Sequence, residues 1–175
     1  MEAAARVERA IDSIHMSIQD IRNFIFGLRP ELLENATFGT GLAALVGEYR
    51  RNSTIEFDLR MTDPQPELPP DVTGQLLAVA TEALSNIVRH SGATIASVDV
   101  LPTESDLRGW ELRIRDNGVG FDPASVARLG HQGLANMRER LSMQVGSSVE
   151  IQSQRGEGTT VIARVPMSVQ NGMAG

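Results

Sequence analysis

The sequence predicts a two-layer sandwich of the α/β (α+β) class: a mixed sheet covered on one face by helices, preceded by a long N-terminal bundle helix. Three observations predict it. An uninterrupted heptad seam occupies residues 7–28. After it the elements follow as helix, strand, helix, two strands, loop and helix, two strands, which is not the strict βαβ alternation of a doubly wound sheet. Finally, the strand-like stretch WELRIRD runs into an aspartate with two glycines close behind it, in DNGVG.

The seam consists of Val7, Ile11, Ile14, Ile18, Ile21, Ile25 and Leu28. Glu8, Arg9, Asp12, Gln19, Asp20 and Arg22 lie between them as a solvated face. One helix cannot bury such a seam alone, so an intermolecular bundle is expected, with folding back onto its own domain as the alternative. Pro30 ends the helix near Arg29. Leu42, Leu45, Val46 and Tyr49 then mark a short amphipathic helix, with Thr40 as the expected N-cap. Ile55, Phe57, Leu59 and Met61 alternate as a strand. PQPELPP interrupts any pairing.

A long helix is expected from about Asp71 to His90, with Leu76, Leu77, Ala80, Ala83, Leu84, Ile87 and Val88 on its apolar side. Strands follow near 94–101 and 110–116, then a loop over 121–132 and a helix from Leu134 to Gln144. The hairpin SVEIQSQ–RGEG–TTVIARVP closes the domain. These elements divide the chain into 1–34, a bundle helix; 35–167, the main domain; and 168–175, a small, polar, flexible tail.

Composition narrows the function. A net charge of −6 over 175 residues argues against a nucleic-acid grip, which needs a basic surface. With no cysteine, a disulfide framework and a thiolate metal site are excluded. No apolar run approaches the roughly 18 residues of a membrane span, so no membrane contact by this chain is expected.

On WELRIRD, side-chain alternation puts Trp110, Leu112, Ile114 and Asp116 on one face. A carboxylate pointing with the core needs hydrogen-bond donors. Alone, DNG with Gly118 and Gly120 is equally well read as an ordinary turn. On the long helix, Glu82, Asn86 and Arg89 share the polar side with His90 at its edge, a stripe able to hold a hydrated metal and its phosphates. An isolated ExxxNxxR is more often plain solvent face, and His90 alone reads as a helix-end residue. Gly130 and Gly133 precede a helix whose N–H groups could meet an anion. Gly156 and Gly158 in RGEGTT suit a hairpin turn without any ligand.

Taken in order, EALSNIVRH, DNGVG, GHQGLANMRER and GEGT resemble the N box and the three glycine boxes of the GHKL (Bergerat) ATP-binding fold. More closely, the chain resembles the catalytic domain of two-component sensor histidine kinases of the nitrate-sensor and DesK-like subfamily. GLRPELL followed by GLAAL resembles the join between that subfamily's dimerisation bundle and catalytic domain. No P-loop string GxxxxGK[ST] occurs.

The resemblance implies roles. Asp116 accepts the exocyclic amine of adenine, while Gly118 and Gly120 let the backbone approach base and ribose. Asn86 ligates Mg²⁺, with the catalytic Glu82 nearby either supporting that ligand or acting as a base that orients water. Arg89 faces phosphate, with His90 beside it. Gly130 and Gly133 hinge a lid that leads into Leu134, and Gly158 and Thr159 close the adenine end. It also implies ATP or ADP as ligand, a homodimer through the N-terminal helix, a response-regulator receiver domain as partner, and a cytoplasmic location, the parent being soluble or membrane-anchored. One departure stands out: the phosphoacceptor string H-[DE]-x-x-x-Q is absent. His15 reads as a bundle-surface histidine and His131 belongs to the lid motif. The chain is therefore expected to be a kinase fragment that binds nucleotide but does not phosphorylate itself. The alternatives are a GHKL ATPase clamp or an anti-sigma-factor-type protein kinase.

Overall fold

The computed structural model describes residues 37–103, 109–123, 137, 141 and 146–167. All lie in the compact unit Ala36–Gly175. The heptad segment with His15, the motif holding Gly130, His131, Gly133 and Leu134, and the tail from 168 lie outside the described residues.

Helix α1 spans Phe38–Asn52 and buries Phe38, Leu42, Leu45 and Val46, a stripe of helical period. Its N-cap is Thr37, whose hydroxyl accepts the N–H of Thr40 at 3.3 Å. This corrects the expected cap at Thr40, whose own hydroxyl donates to the Thr37 carbonyl at 2.9 Å. The apolar stripe starts at Phe38, one turn earlier than its Leu42 member suggests, and Gly39 and Gly41 hide that first turn. Strand β1, Glu56–Met61, follows. Tyr49 stands against Phe57 with ring centroids 6.2 Å apart, holding α1 to β1.

Helix α2, Pro70–Asn86, begins with proline in its first turn, where a missing N–H costs nothing. It buries Val72, Leu76, Leu77, Val79, Ala80, Ala83 and Leu84. Its last turn, Ile87–Ser91, widens to a π-helical turn and stops at Gly92, which is left-handed at φ 61°. The wider turn changes which side of the helix each residue faces. Val88, expected on the apolar side, is 39% exposed, whereas Ile87 and Ser91 are buried.

Strands β2 (Ile95–Pro102), β3 (Gly109–Asp116), β4 (Ser148–Ser153) and β5 (Thr159–Pro166) complete a five-stranded sheet ordered β1-β2-β3-β5-β4. Only β1 and β2 pair in parallel; the other neighbours are antiparallel, so the sheet is mixed as expected. One apolar row crosses all five strands: Leu59, half-buried on the edge strand, then the buried Val98, Ile114, Val161 and Ile151. Met137 and Leu141, four apart and both helical, are fully buried, in keeping with an apolar face on the helix expected there.

The opposite face of the sheet is charged. Glu111 is 7% exposed yet sits between Arg113, at 2.5 Å, and Arg164, at 2.8 Å. Arg164 also reaches Glu150 at 2.9 Å.

Candidate functional site

Asp116 is the last residue of β3, one row beyond the core row, opposite Ala96 of β2. It is 3% exposed, as the alternation on its strand requires. Its Oδ1 accepts the N–H of Gly118 at 2.8 Å. Burial pushes its pKa up, and the backbone N–H groups of Gly118 and Thr159 partly oppose that. Among the described residues no cation pairs with it. This is a carboxylate with lone pairs to spare in a dry place.

The neighbouring residue does a different task. Asn117 Oδ1 accepts the N–H groups of Thr94 and Ile95 at 2.9 and 3.0 Å, and its Nδ2 donates to the Thr94 hydroxyl at 3.0 Å. It staples the start of β2 to the end of β3. Sequence reasoning passed over it; an amide beside a strand-end aspartate was the available signal.

Gly118 is needed for a close approach: a Cβ there would fall 2.2 Å from the Ser91 carbonyl oxygen. That carbonyl, at the end of the π-helical turn, accepts the N–H of Val119 at 2.8 Å. The Ser91 hydroxyl donates to the Ile87 carbonyl at 2.7 Å and accepts the Ala93 N–H at 2.9 Å. Ser91, also unforeseen, thus docks the end of α2 onto the DNGVG loop.

The hairpin turn clasps the loop from the other side. Val119 accepts the N–H of Gly156 at 2.7 Å, and Ser153 accepts the N–H of Phe121 at 2.9 Å. Gly120 lies against the carbonyls of Gln154 and Gly158. Gly158, at φ 76°, leaves no room for a Cβ, which would lie 2.1 Å from the Asp116 carbonyl oxygen. Of the two turn glycines, Gly156 has open space around it and Gly158 is packed against the site. Asp116, Gly118, Gly120, Gly158 and Thr159 are therefore brought together.

Glu82 and Asn86 form a second group on α2, both half-buried. Asn86 Nδ2 donates to Glu82 Oε1 at 3.4 Å. Among the described residues the Asn86 carboxamide oxygen accepts no hydrogen bond, so it is free to meet a cation. Arg89 and His90 are exposed on the π-helical turn. Tyr49 of α1 donates to the Thr81 carbonyl of α2 at 3.2 Å. Burial pushes its pKa up to about 12, against the pull of the nearby Arg89 guanidinium and a hydrogen bond with Ser85.

Among the described residues no three His, Cys, Asp or Glu side chains group to hold a metal. A metal at Asn86 would take its other ligands from phosphate and water, which suits Mg²⁺. The donor set thus fits a magnesium nucleotide: an acceptor for a base amine at Asp116, and a hard oxygen with a cation nearby on α2. Gly130, Gly133 and Leu134 lie outside the described residues.

Residues 71–169 match the model of the histidine kinase-, DNA gyrase B- and HSP90-like ATPases, and the chain belongs to that family. Its relatives are more particular. It is 33% identical to the sensor histidine kinase LiaS of Bacillus subtilis over 85% of this chain and 39% of LiaS. It is 32% identical to the sensor histidine kinase NarS of Mycobacterium tuberculosis over 93% of this chain and 37% of NarS. The chain thus spans well under half the length of these relatives. Its fold is shared with the blue-light activated histidine kinase of Erythrobacter litoralis, at TM-score 0.68 and 15% identity over 91% of this chain and 50% of that one.

Proposed function

We propose that residues 35–167 are the ATP-binding catalytic domain of a two-component sensor histidine kinase. In this reading the γ-phosphoryl passes to a histidine nitrogen of a dimerisation bundle: the bond to the β-phosphate oxygen breaks, a P–N bond forms, and ADP leaves. The phosphoryl is then relayed to a response-regulator aspartate. The observation that carries the reading is Asp116, a buried carboxylate that accepts the Gly118 N–H and, among the described residues, pairs with no cation.

Each residue contributes a separate part. Asp116 accepts the adenine amine. Gly118, Gly120 and Gly158 keep the surrounding backbone close enough to shape the pocket. The Asn86 oxygen holds Mg²⁺, which when bound neutralises phosphate charge and fixes its orientation. Glu82 orients Asn86 through their shared hydrogen bond. Arg89, with His90 beside it, meets the phosphates. Gly130, Gly133, Leu134 and Thr159 complete the nucleotide contacts, and residues 1–34 supply the homodimer contact.

Phosphate release separates a kinase from an ATPase clamp. A kinase domain keeps water from the γ-phosphate, whereas a clamp uses a glutamate to activate it. The chain should bind ATP more tightly with Mg²⁺ present, turn it over at a near-background rate and incorporate little acid-labile phosphate. Asn86→Ala should lose the Mg²⁺-dependent part of the affinity. Brisk hydrolysis that disappears in Glu82→Ala would overturn the kinase reading.

A further inference from the structure

The Ser153 hydroxyl at the end of β4 has no part in the roles above, yet three hydrogen bonds meet there. It accepts from the Phe121 N–H at 2.9 Å, donates to the Gly158 carbonyl at 2.9 Å and lies 3.0 Å from the Thr159 hydroxyl oxygen. A serine hydroxyl has one proton and two lone pairs. Here the proton is committed to Gly158 and one lone pair to Phe121. The contact with Thr159 must therefore use the second lone pair, and Thr159 must be its donor. With its proton held by Ser153, the Thr159 oxygen can offer only lone pairs elsewhere.

The sheet register puts those lone pairs beside Asp116. Ser153 pairs with Thr159 across β4 and β5. Arg115 pairs with Thr160, so Thr159 stands opposite Asp116, and paired residues share a face. The Thr159 backbone N–H is also near enough to hold the Asp116 pKa down against the effect of burial. We propose that Ser153 is a positioning residue that fixes Thr159 as an acceptor, so that Asp116 and Thr159 form one acceptor-only edge. On this view the pair, rather than Asp116 alone, sets the preference for a base carrying an exocyclic amine. The inference rests on the nucleotide reading above.

In Ser153→Ala the Thr159 proton is released, and the hydroxyl can turn to donate to a base with a 6-oxo group. The probes are ATP and inosine triphosphate, which carries that oxygen. Titration calorimetry on the full chain should show the ATP preference over inosine triphosphate falling about 3- to 10-fold in Ser153→Ala, the range of one neutral hydrogen bond. Ser153→Thr, which keeps the hydroxyl, should restore it. In a Thr159→Val background, Ser153→Ala should change the ratio no further, because the two residues act through one hydroxyl. The Phe121 amide should lose hydrogen-exchange protection in nucleotide-free Ser153→Ala and keep it in Ser153→Thr. If the unmutated chain binds ATP and Ser153→Ala leaves the ratio unchanged while only lowering Tm, Ser153 is merely structural and the inference is wrong. If the unmutated chain binds neither nucleotide, the nucleotide reading itself fails.

Discussion

Two carboxylates are buried on strand β3, five residues apart and on opposite faces of the sheet. Glu111 is 7% exposed and Asp116 is 3% exposed, so the solvent treats them almost alike. The protein does not. Glu111 is held by two guanidiniums, from Arg113 and Arg164, whereas among the described residues Asp116 is met by backbone N–H and by no cation. A carboxylate that serves the fold has its charge compensated within the fold. One that serves a ligand keeps lone pairs in reserve and bears the desolvation. On the function proposed above, the contrast separates a structural acid from a binding acid more sharply than burial does.

The largest expected effect breaks the binding side of this contrast. Asp116→Ala should weaken ATP by about 1.5–3 kcal/mol, roughly 10- to 150-fold, the loss of a hydrogen bond to a charged group. Binding of GTP, whose 6-oxo group offers no donor there, should hardly change. Glu111→Gln should leave ATP affinity within about twofold in the same titration, since its partners are on the other face. A large loss of affinity in Glu111→Gln would dissolve the distinction.

Stability should show the reverse order with a smaller size. Glu111→Gln should cost about 1–2 kcal/mol in urea unfolding, because two charge-assisted bonds weaken while the arginines can still turn to water. The arginine side chains are 44% and 37% exposed, which keeps the loss below that of a fully buried pair.

The smallest effect is a pH dependence that sharpens the comparison. Burial raises the Asp116 pKa above its ordinary value of 3.8. Between that value and the raised one the folded chain holds a proton that the unfolded chain has released. The Asp116 contribution to stability therefore falls as pH rises through this window, and above it the ionised carboxylate is a standing cost. Nucleotide-free Asp116→Asn should melt no lower than the unmutated protein at pH 7, and its advantage should vanish once the pH falls below the window. ATP affinity should change in the opposite sense, weakening on acidification through the same window as the acceptor is protonated. A lower melting temperature for Asp116→Asn at neutral pH would show that the carboxylate contributes to the fold.

Much of this is legible in the sequence. The period-two pattern of WELRIRD placed Asp116 on the core side, and the hairpin SVEIQSQ–RGEG–TTVIARVP stands where β4 and β5 are found. The helix carrying Glu82 and Asn86 was clear from its apolar stripe. What was missed depends on close approaches between distant segments. The π-helical turn that exposes Val88 has no local signature in IVRHS, and it departs from the 100° per residue that helical projections assume. Ser91, Asn117 and Ser153 are small polar residues whose importance comes from which backbone groups the fold brings to them. Gly158 reads as a turn glycine until the Asp116 carbonyl is seen pressed against it.

The placement of Tyr49 has an optical consequence. The chain has one tyrosine, one tryptophan and no cysteine. The tyrosine ring lies at the contact between α1 and the helix of Glu82 and Asn86, with its hydroxyl on the Thr81 carbonyl and its ionisation deferred to about pH 12. Tyrosine absorbance and its energy transfer to Trp110 on β3 thus come from a single, known location. Any sliding of α1 against that helix can be followed by ultraviolet spectroscopy on the native chain, and one introduced cysteine would carry a dye without background labelling.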